Sequence, residues 1–198
     1  IMKLFNRWET DKLVIKEKAL IPYIHIQEIL VPRTGGKGAE GQRVWTQKTH
    51  IVERLMNKIM VPGHRGKKHK ISSYTCTGKS ATAYKTVVKA FEFIEKETTQ
   101  NPIQVFITAV ENAAPREEVT SIEYGGARYS KAVEVSPLRR IDYTLRLMVQ
   151  GSYQKSFNKK VSIARALANE ILNAFKVSQD SAAIQKKLEL ERQADSSR

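Results

Sequence analysis

Six stretches of the chain place apolar residues three and four positions apart, the spacing that forms one face of an amphipathic helix. Five of them are strongly apolar, at residues 51–60, 84–94, 103–114, 138–148 and 164–175. The sixth, at residues 181–194, is more polar. The pattern predicts about six helices whose apolar stripes pack together into a core.

Proline and its neighbours mark where several of these helices begin and end. Asn101-Pro102 and Ser136-Pro137 each place a capping residue before a proline. Proline fits the first helical turn because its missing N–H needs no partner there. Pro62-Gly63 and Pro115 follow two of the stripes and are expected to end them. We expect the second helix to begin at Ser80.

The chain between the third and fourth predicted helices has a different pattern, which predicts a β-hairpin at residues 119–135. Two β-prone runs flank Gly125-Gly126, a dipeptide that suits a two-residue turn. The turn pairs Tyr124 with Ala127, Glu123 with Arg128, Ile122 with Tyr129, and Ser121 with Ser130. Opposite charges at 123 and 128 support this register. Neither face is apolar enough for a core, so we expect the hairpin to project and meet a partner.

The N-terminal part lacks helical periodicity. Apolar runs at 13–15 and 24–31 predict short strands or extended segments packed on the body, followed by a glycine-rich basic loop at 33–43. The predicted fold class is mainly α: a single helical domain of about six helices with a protruding β-hairpin and an extended basic N-terminal arm. We assign residues 1–46 to the arm and basic loop, and residues 47–198 to the helical domain.

The positive charge is large and clustered. The chain carries 34 Lys and Arg against 20 Asp and Glu, a formal net charge of +14 at pH 7. Residues 51–80 hold seven basic residues and one acidic, and residues 136–160 hold six and one. Such a field attracts polyanions, with nucleic acid ahead of an anionic membrane surface or an acidic protein. Two clusters this unbalanced favour a phosphate-binding face over an ordinary solvated surface.

Other classes of protein find little support in the sequence. The single cysteine, Cys76, leaves no internal disulfide and fits a reducing compartment. No apolar run approaches about 18 residues, so we expect no membrane-spanning segment. The first residues lack the apolar core of a signal peptide. The helical stripes suit core packing better than the basic amphipathic helices that lie on membranes.

Residues for catalysis or metal binding are also sparse. His64, His69 and Cys76 supply at most three zinc ligands, at no recognised spacing. Gly78-Lys79-Ser80 resembles the end of a phosphate-binding loop, but Ser73 stands where the first glycine belongs. The acidic pair Glu117-Glu118 is most simply explained by an ion pair with the adjacent Arg116. A nuclease needs converging carboxylates for metal ions, but the basic segments hold one acidic residue each, Glu53 and Asp142. We therefore expect no nuclease, and we also expect no other enzyme activity, no metal and no cofactor.

Residues 101–140 carry a specific resemblance. The segments NPIQV at 101–105, ENAAPREE at 111–118, YGG at 124–126 and VEVSPLRR at 133–140 resemble the universal small-subunit ribosomal protein family numbered seven. Residues 51–60 look like the first helix of that family. The segments at 3–5 and 186–198 resemble its archaeal and eukaryotic branch. The resemblance extends over nearly the whole chain.

The resemblance implies a helical body with a protruding hairpin, which the apolar periodicity also predicts. It implies a primary binder of small-subunit ribosomal RNA that organises the head of the subunit, with the hairpin near messenger RNA and exit-site transfer RNA. It also implies neighbouring small-subunit ribosomal proteins as partners, no membrane, and a location in the cytoplasm, in the ribosome. The loop at 62–78 is longer than in bacterial members, so its basic residues are assigned to RNA on charge alone.

The RNA-binding residues that we predict are basic side chains of the glycine-rich loop, the two charged segments, the hairpin region and the C-terminal helix, with one tyrosine of the hairpin. They are Arg33, Lys37, Arg43, Lys58, Arg65, Lys67, Lys68, Lys70, Lys79, Arg116, Arg128, Tyr129, Arg139, Arg140, Arg146, Lys159, Lys160, Lys186 and Lys187. Tyr124 and Tyr129 could stack on unpaired bases or only pack against Ile122. The alternative function is that of a DNA-binding helical protein, although no predicted helix pair clearly has the connection of about three or four residues found in a helix-turn-helix.

Overall fold

A computed structural model describes residues 2–34, 48–63, 73 and 76–198. This part of the chain contains six α-helices and one two-stranded antiparallel hairpin, so the fold is mainly helical, as predicted. The helices are α1 (Ile51–Ile59), α2 (Ser80–Thr98), α3 (Pro102–Ala113), α4 (Pro137–Ser156), α5 (Ile163–Phe175) and α6 (Ala182–Ser196), and the strands are β1 (Glu117–Tyr124) and β2 (Ala127–Glu134).

Side-chain caps begin four of the helices. Asn101 accepts a hydrogen bond from the Ile103 N–H at 3.0 Å, as expected for the start of α3. His50 Nδ1 accepts from the Val52 N–H at 3.2 Å at the start of α1. Ser162 and Ser181 cap α5 and α6 in the same way. Ser136 makes no such bond, so α4 begins at Pro137 without a side-chain cap.

The apolar stripes form one continuous core. Helix α5 lies against α2, α3 and α4, and α1 packs on α2 and α4. Phe91, Phe106, Leu145 and Leu167, from four different helices, are fully buried there. No helix in the described ranges combines the length and apolar character that crossing a membrane requires.

The described part of the N-terminal arm belongs to the same core. Its elements are short, with one 3-10 turn at Ile21–Tyr23. Leu4, Trp8 and Leu20 are nevertheless buried, and the Trp8 ring lies 5.7 Å from that of Phe91, centroid to centroid. Further along the arm, the Gln104 side-chain amide of α3 bonds both the N–H and the C=O of Val14 at 2.9 Å. The arm therefore completes the helical body.

The hairpin has the predicted register. All four predicted pairs are present, and both turn glycines have positive φ, as a tight two-residue turn requires. The ladder starts two residues earlier than predicted, because Glu117 and Glu118 pair with Glu134 and Val133. These glutamates form ion pairs inside the protein, as expected, but with partners other than Arg116. Glu117 binds Arg198 and Glu118 binds Arg139, so the acidic pair fastens the base of the hairpin to α4 and to the residues that follow α6.

Candidate nucleic-acid interface

The two basic segments of the sequence meet where α1 crosses α4. The buried Arg54 of α1 bonds Asp142 of α4 at 3.1 Å, and Lys58 Nζ lies 3.8 Å from the same carboxylate oxygen. Asp142 is the single acidic residue of segment 136–160. Because Arg54 and Lys58 of α1 pair with Asp142, this carboxylate does not pair with the exposed Arg146 of α4.

The described residues that flank residues 35–47 and 64–72 lie beside α1. Thr34 donates its backbone N–H and its hydroxyl to Glu53 of α1, at 3.1 and 3.0 Å, just before residues 35–47. The Gly63 N–H bonds the Ser73 hydroxyl at 2.8 Å, across residues 64–72. Six predicted RNA-binding residues fall in these two stretches and lie outside the described residues: Lys37, Arg43, Arg65, Lys67, Lys68 and Lys70. The described residues on which these two stretches border therefore lie at α1.

Seven of the predicted cations lie on or close to α1 and α4 and are at least partly exposed. Cys76 Sγ lies 4.0 Å from the Tyr153 hydroxyl, which brings the segment before Lys79 against the last turns of α4. We call the set formed by Arg33, Lys58, Lys79, Arg139, Arg146, Lys159 and Lys160 the α1–α4 surface. Lys58 is half-buried and the other six are exposed. Within the described part of the chain, five of these side chains have no ion pair or hydrogen bond: Arg33, Lys79, Arg146, Lys159 and Lys160.

Adjacent arginines at the start of α4 have opposite roles. Arg139 is exposed and donates to one Glu118 oxygen from Nε and Nη2, at 3.1 and 2.9 Å. This hydrogen bond raises the pKa of Arg139. Arg140 is 5% exposed, with its guanidinium bound to both Glu17 oxygens and to the Pro115 carbonyl. Three of its five N–H donors are therefore used inside the protein, where Arg140 ties the arm to the hairpin base. Its assignment to RNA stays a prediction.

The predicted cations of α6 are also held by the body. Lys187 is half-buried and donates to the Asn112 carbonyl at 2.8 Å, at the carboxyl end of α3. A cation is favourable at that end of a helix because of the helix dipole. Burial lowers the pKa of Lys187. Lys186 pairs with Glu189 at 2.8 Å, and the exposed Arg116 lies near Lys187. These cations are separate from the α1–α4 surface.

The hairpin leaves its aromatic residues open to solvent. Tyr124 and Tyr129 are 82% and 59% exposed, and Ile122 is the cross-strand partner of Tyr129. Arg128 forms an exposed ion pair with Glu123 at 3.6 Å, the pair that the register predicted. The tip of the hairpin is thus a free surface that carries both rings and charge.

Two residues of the interface were not singled out from the sequence. Tyr143 lies on α4 between Arg139 and Arg146, and Lys131 is exposed on β2. The spacing 139, 143 and 146 is a helical signal, since residues three and four apart are neighbours on a helix. The start of α4 was predictable, so this spacing alone could have identified Tyr143.

The histidines do not contribute a metal site within the described residues, where no three His, Cys, Asp or Glu side chains converge. His64 and His69 lie outside those residues. The expectation that His64, His69 and Cys76 do not form a zinc site therefore stays a prediction.

Comparison with known proteins shows the family of the chain. The profile of a family described as ribosomal protein S7p/S5e matches residues 32–198. The chain belongs to this family. It is also similar to the small ribosomal subunit protein uS7 of Nanoarchaeum equitans, with 49% identity over 197 residues that cover 100% of this chain and 99% of that protein. The uS7 protein of Methanothermobacter thermautotrophicus is 43% identical over 194 residues, which cover 98% of this chain and 97% of the relative.

The resemblance stated from the sequence motifs is confirmed by this membership of a ribosomal protein family. The family profile begins at residue 32, so the first part of the arm lies outside it. Both archaeal relatives nevertheless match nearly the whole chain. This agrees with the structure, in which Leu4, Trp8 and Leu20 of the arm are core residues.

Proposed function

We propose that the protein is a structural component of the small ribosomal subunit and binds small-subunit ribosomal RNA through the α1–α4 surface. The observation that supports this most is the contact of Arg54 with Asp142, which joins the two basic segments of the sequence. The two carboxylates of those segments, Glu53 and Asp142, are both engaged by neighbouring residues. What faces solvent is therefore a surface of largely unpaired cations on a protein of net charge +14.

Binding by this surface is mainly electrostatic and shape-dependent. Lysine and arginine neutralise phosphates and release condensed counterions, which makes the affinity fall as salt rises. The deep major groove of an RNA helix does not admit side chains, so backbone shape and unpaired bases are recognised instead. Six further cations, from segments next to α1 in the sequence, are proposed as additional phosphate contacts: Lys37, Arg43, Arg65, Lys67, Lys68 and Lys70.

The hairpin has a separate role in this proposal. Its tip exposes Tyr124 and Tyr129 and lies beyond the helical core. It reaches messenger RNA and exit-site transfer RNA, while the helical body organises the ribosomal RNA of the subunit head. Both archaeal relatives are small ribosomal subunit proteins, which supports the assignment of this chain to the small subunit.

One feature of the structure favours a DNA-binding helix-turn-helix, and a stronger one argues against it. Helices α2 and α3 are joined by three residues, 99–101, the length that such a motif needs. A recognition helix must expose a face to the groove of DNA. Helix α3 is buried on nearly all sides, and Gln104, one of its few accessible residues, is bonded to the arm. The ribosomal RNA assignment is therefore preferred.

The test compares two double variants of equal charge. Lys159→Gln/Lys160→Gln removes two cations of the α1–α4 surface, and Lys96→Gln/Lys176→Gln removes two exposed cations elsewhere. We expect the first to weaken binding to small-subunit ribosomal RNA and to reduce the slope of log affinity against log salt by about 1 to 2. The control variant should change the RNA affinity and the salt slope much less. A wild-type affinity that does not depend on salt, or equal losses in both variants, would contradict the proposal.

A further inference from the structure

A shallow groove runs along the first turns of α4. It is lined by Ser136, Leu138, Arg139, Asp142, Tyr143 and Arg146. Three of these residues, Arg139, Tyr143 and Arg146, follow each other at spacings of four and three, so their side chains are successive neighbours on one face of the helix. The groove therefore presents an aromatic ring with a guanidinium group on each side.

The two arginines differ in how firmly they are held. Arg139 is fixed at the rim by its two hydrogen bonds to Glu118. Three further donors of a guanidinium group remain for a ligand. Arg146 is exposed and has no ion pair or hydrogen bond in the described ranges. One fixed and one free guanidinium group suit the phosphates on either side of a bound nucleoside.

Tyr143 has no other evident task in the fold. It is half-buried on the wall of the groove. Within the described part of the chain, its hydroxyl makes no hydrogen bond and its ring makes no aromatic contact. A tyrosine that lines a groove between two cations offers a flat surface for another planar group, since base–aromatic stacking is insensitive to which base is bound.

Asp142 adds a polar group to the same wall. Its Oδ1 is bound by Arg54 and approached by Lys58, which hold the carboxylate in place. Its Oδ2 has no hydrogen-bond partner in the described ranges. A carboxylate oxygen held in this way can accept a hydrogen bond from the exocyclic amino group of a base.

We propose that this groove holds one unpaired nucleotide of the ribosomal RNA, with its base on Tyr143 and its flanking phosphates on Arg139 and Arg146. The inference rests on the proposed function, because it names the part of the RNA that the α1–α4 surface recognises. A base inside a duplex is stacked on both faces and cannot reach the ring. An unpaired nucleotide supplies the flat base, the negative charge and a base edge for Asp142.

The experiment separates stacking from charge. Tyr143→Leu should weaken binding to small-subunit ribosomal RNA by about 5- to 150-fold and leave the salt slope unchanged, because stacking involves no counterions. Tyr143→Phe keeps the ring and should stay within about twofold of the wild type. Arg146→Gln should reduce the salt slope by about 1. Ultraviolet irradiation of the wild-type complex should crosslink RNA to the tryptic peptide 141–146, whose one aromatic residue is Tyr143.

The outcomes distinguish this inference from the general function. Wild-type protein that binds without salt dependence contradicts the proposed function itself. Salt-dependent binding with no loss in Tyr143→Leu overturns only the nucleotide site, and leaves the groove to another ligand such as an acidic protein segment. Equal losses in the Leu and Phe variants point to the hydroxyl and overturn stacking. If Tyr143→Leu does not fold, the absence of the 141–146 crosslink in the wild type overturns the site.

Discussion

The N-terminal arm and the β-hairpin differ in a way that separates regular structure from burial. The hairpin is fully regular, with eight residues in each strand, yet its tip is exposed. The described part of the arm contains only one short helical element, a 3-10 turn. Leu4, Trp8 and Leu20 are nevertheless buried in the core. The hairpin satisfies its backbone with its own partner strand, whereas the arm uses side chains of α3 such as Gln104 and Glu111.

This difference indicates which residues contribute to stability and which remain available for function. Residues that bury apolar surface contribute to folding, and their loss leaves a cavity. Exposed residues of a projecting element contribute little to folding and remain available to a partner. We therefore expect changes in the arm to act on stability, and changes at the hairpin tip to act on what the protein binds.

The largest expected effect comes from the aromatic core of the arm. Trp8 is 4% exposed and makes edge-to-face contacts with Phe5 and Phe91. We expect Trp8→Ala to lower the free energy of unfolding by about 3–5 kcal/mol. Tyr124→Ala, on the hairpin, should change it by less than about 0.5 kcal/mol. Urea unfolding followed by circular dichroism measures both, and similar losses in the two variants would remove the contrast.

The adjacent arginines of α4 give the next largest difference. Arg140 faces the arm through Glu17, and Arg139 faces the hairpin through Glu118. Arg140→Gln leaves the half-buried Glu17 carboxylate without its partner and should cost about 3 kcal/mol of unfolding free energy. Arg139→Gln breaks an exposed pair and should cost about 0–1 kcal/mol. Chemical denaturation measures both free energies of unfolding. If Arg140→Gln lowers this free energy less than Arg139→Gln does, Arg140 is not the structural arginine of the two.

Acid should weaken the junction between the arm and α1. His50 is buried, and this burial, with the neighbouring His25 of the arm, lowers its pKa to about 4. An unfolded histidine has a pKa of about 6.5 and takes up its proton first, so stability is complete above that pH and falls as the pH is lowered toward 4. By pH 5 the loss should reach about 2 kcal/mol.

The control for this pH effect keeps the helix cap. His50→Asn retains an oxygen that can accept from the Val52 N–H but does not titrate in this range. Its free energy of unfolding should therefore change less between pH 7 and pH 5 than that of the wild type. An unchanged pH dependence in this variant would mean that other groups cause the acid loss.

Local chemistry explains which parts of the fold could be predicted from the sequence. The two residues Asn101-Pro102 define the start of α3, and the turn at Gly125-Gly126 defines the hairpin register. The arm could not be predicted in the same detail, because its partners are distant along the chain. Nothing near Glu17 indicates that its carboxylate binds Arg140, more than a hundred residues away.

The same limit applies to the candidate site. The clustering of charge in segments 51–80 and 136–160 was visible in the sequence, and the structure brings the two segments into contact at Asp142. Charge alone does not separate Arg139 from Arg140, because adjacent helical positions point in directions about 100° apart. The difference between them is burial, because Arg139 faces solvent and Arg140 is bonded inside the protein.

The smallest expected effect on stability is at the hairpin tip. Replacing the six residues Glu123–Arg128 by Gly-Gly removes only exposed positions. The free energy of unfolding should change by less than about 0.5 kcal/mol. Binding to small-subunit ribosomal RNA should also persist, because the α1–α4 surface lies elsewhere. Reconstituted subunits should assemble with this variant, yet hold exit-site transfer RNA less well or translate less accurately.

A cut of similar length in the arm is the matched control for this deletion. Removing residues 2–8 takes away Leu4, Phe5 and Trp8, so we expect thermal unfolding at a clearly lower temperature. If the tip deletion instead lowers the melting temperature while translation is unchanged, the hairpin is a packing element like the arm. If translation and transfer RNA retention decline in a fully stable protein, the exposed tip acts on a partner, because the body that carries it is intact.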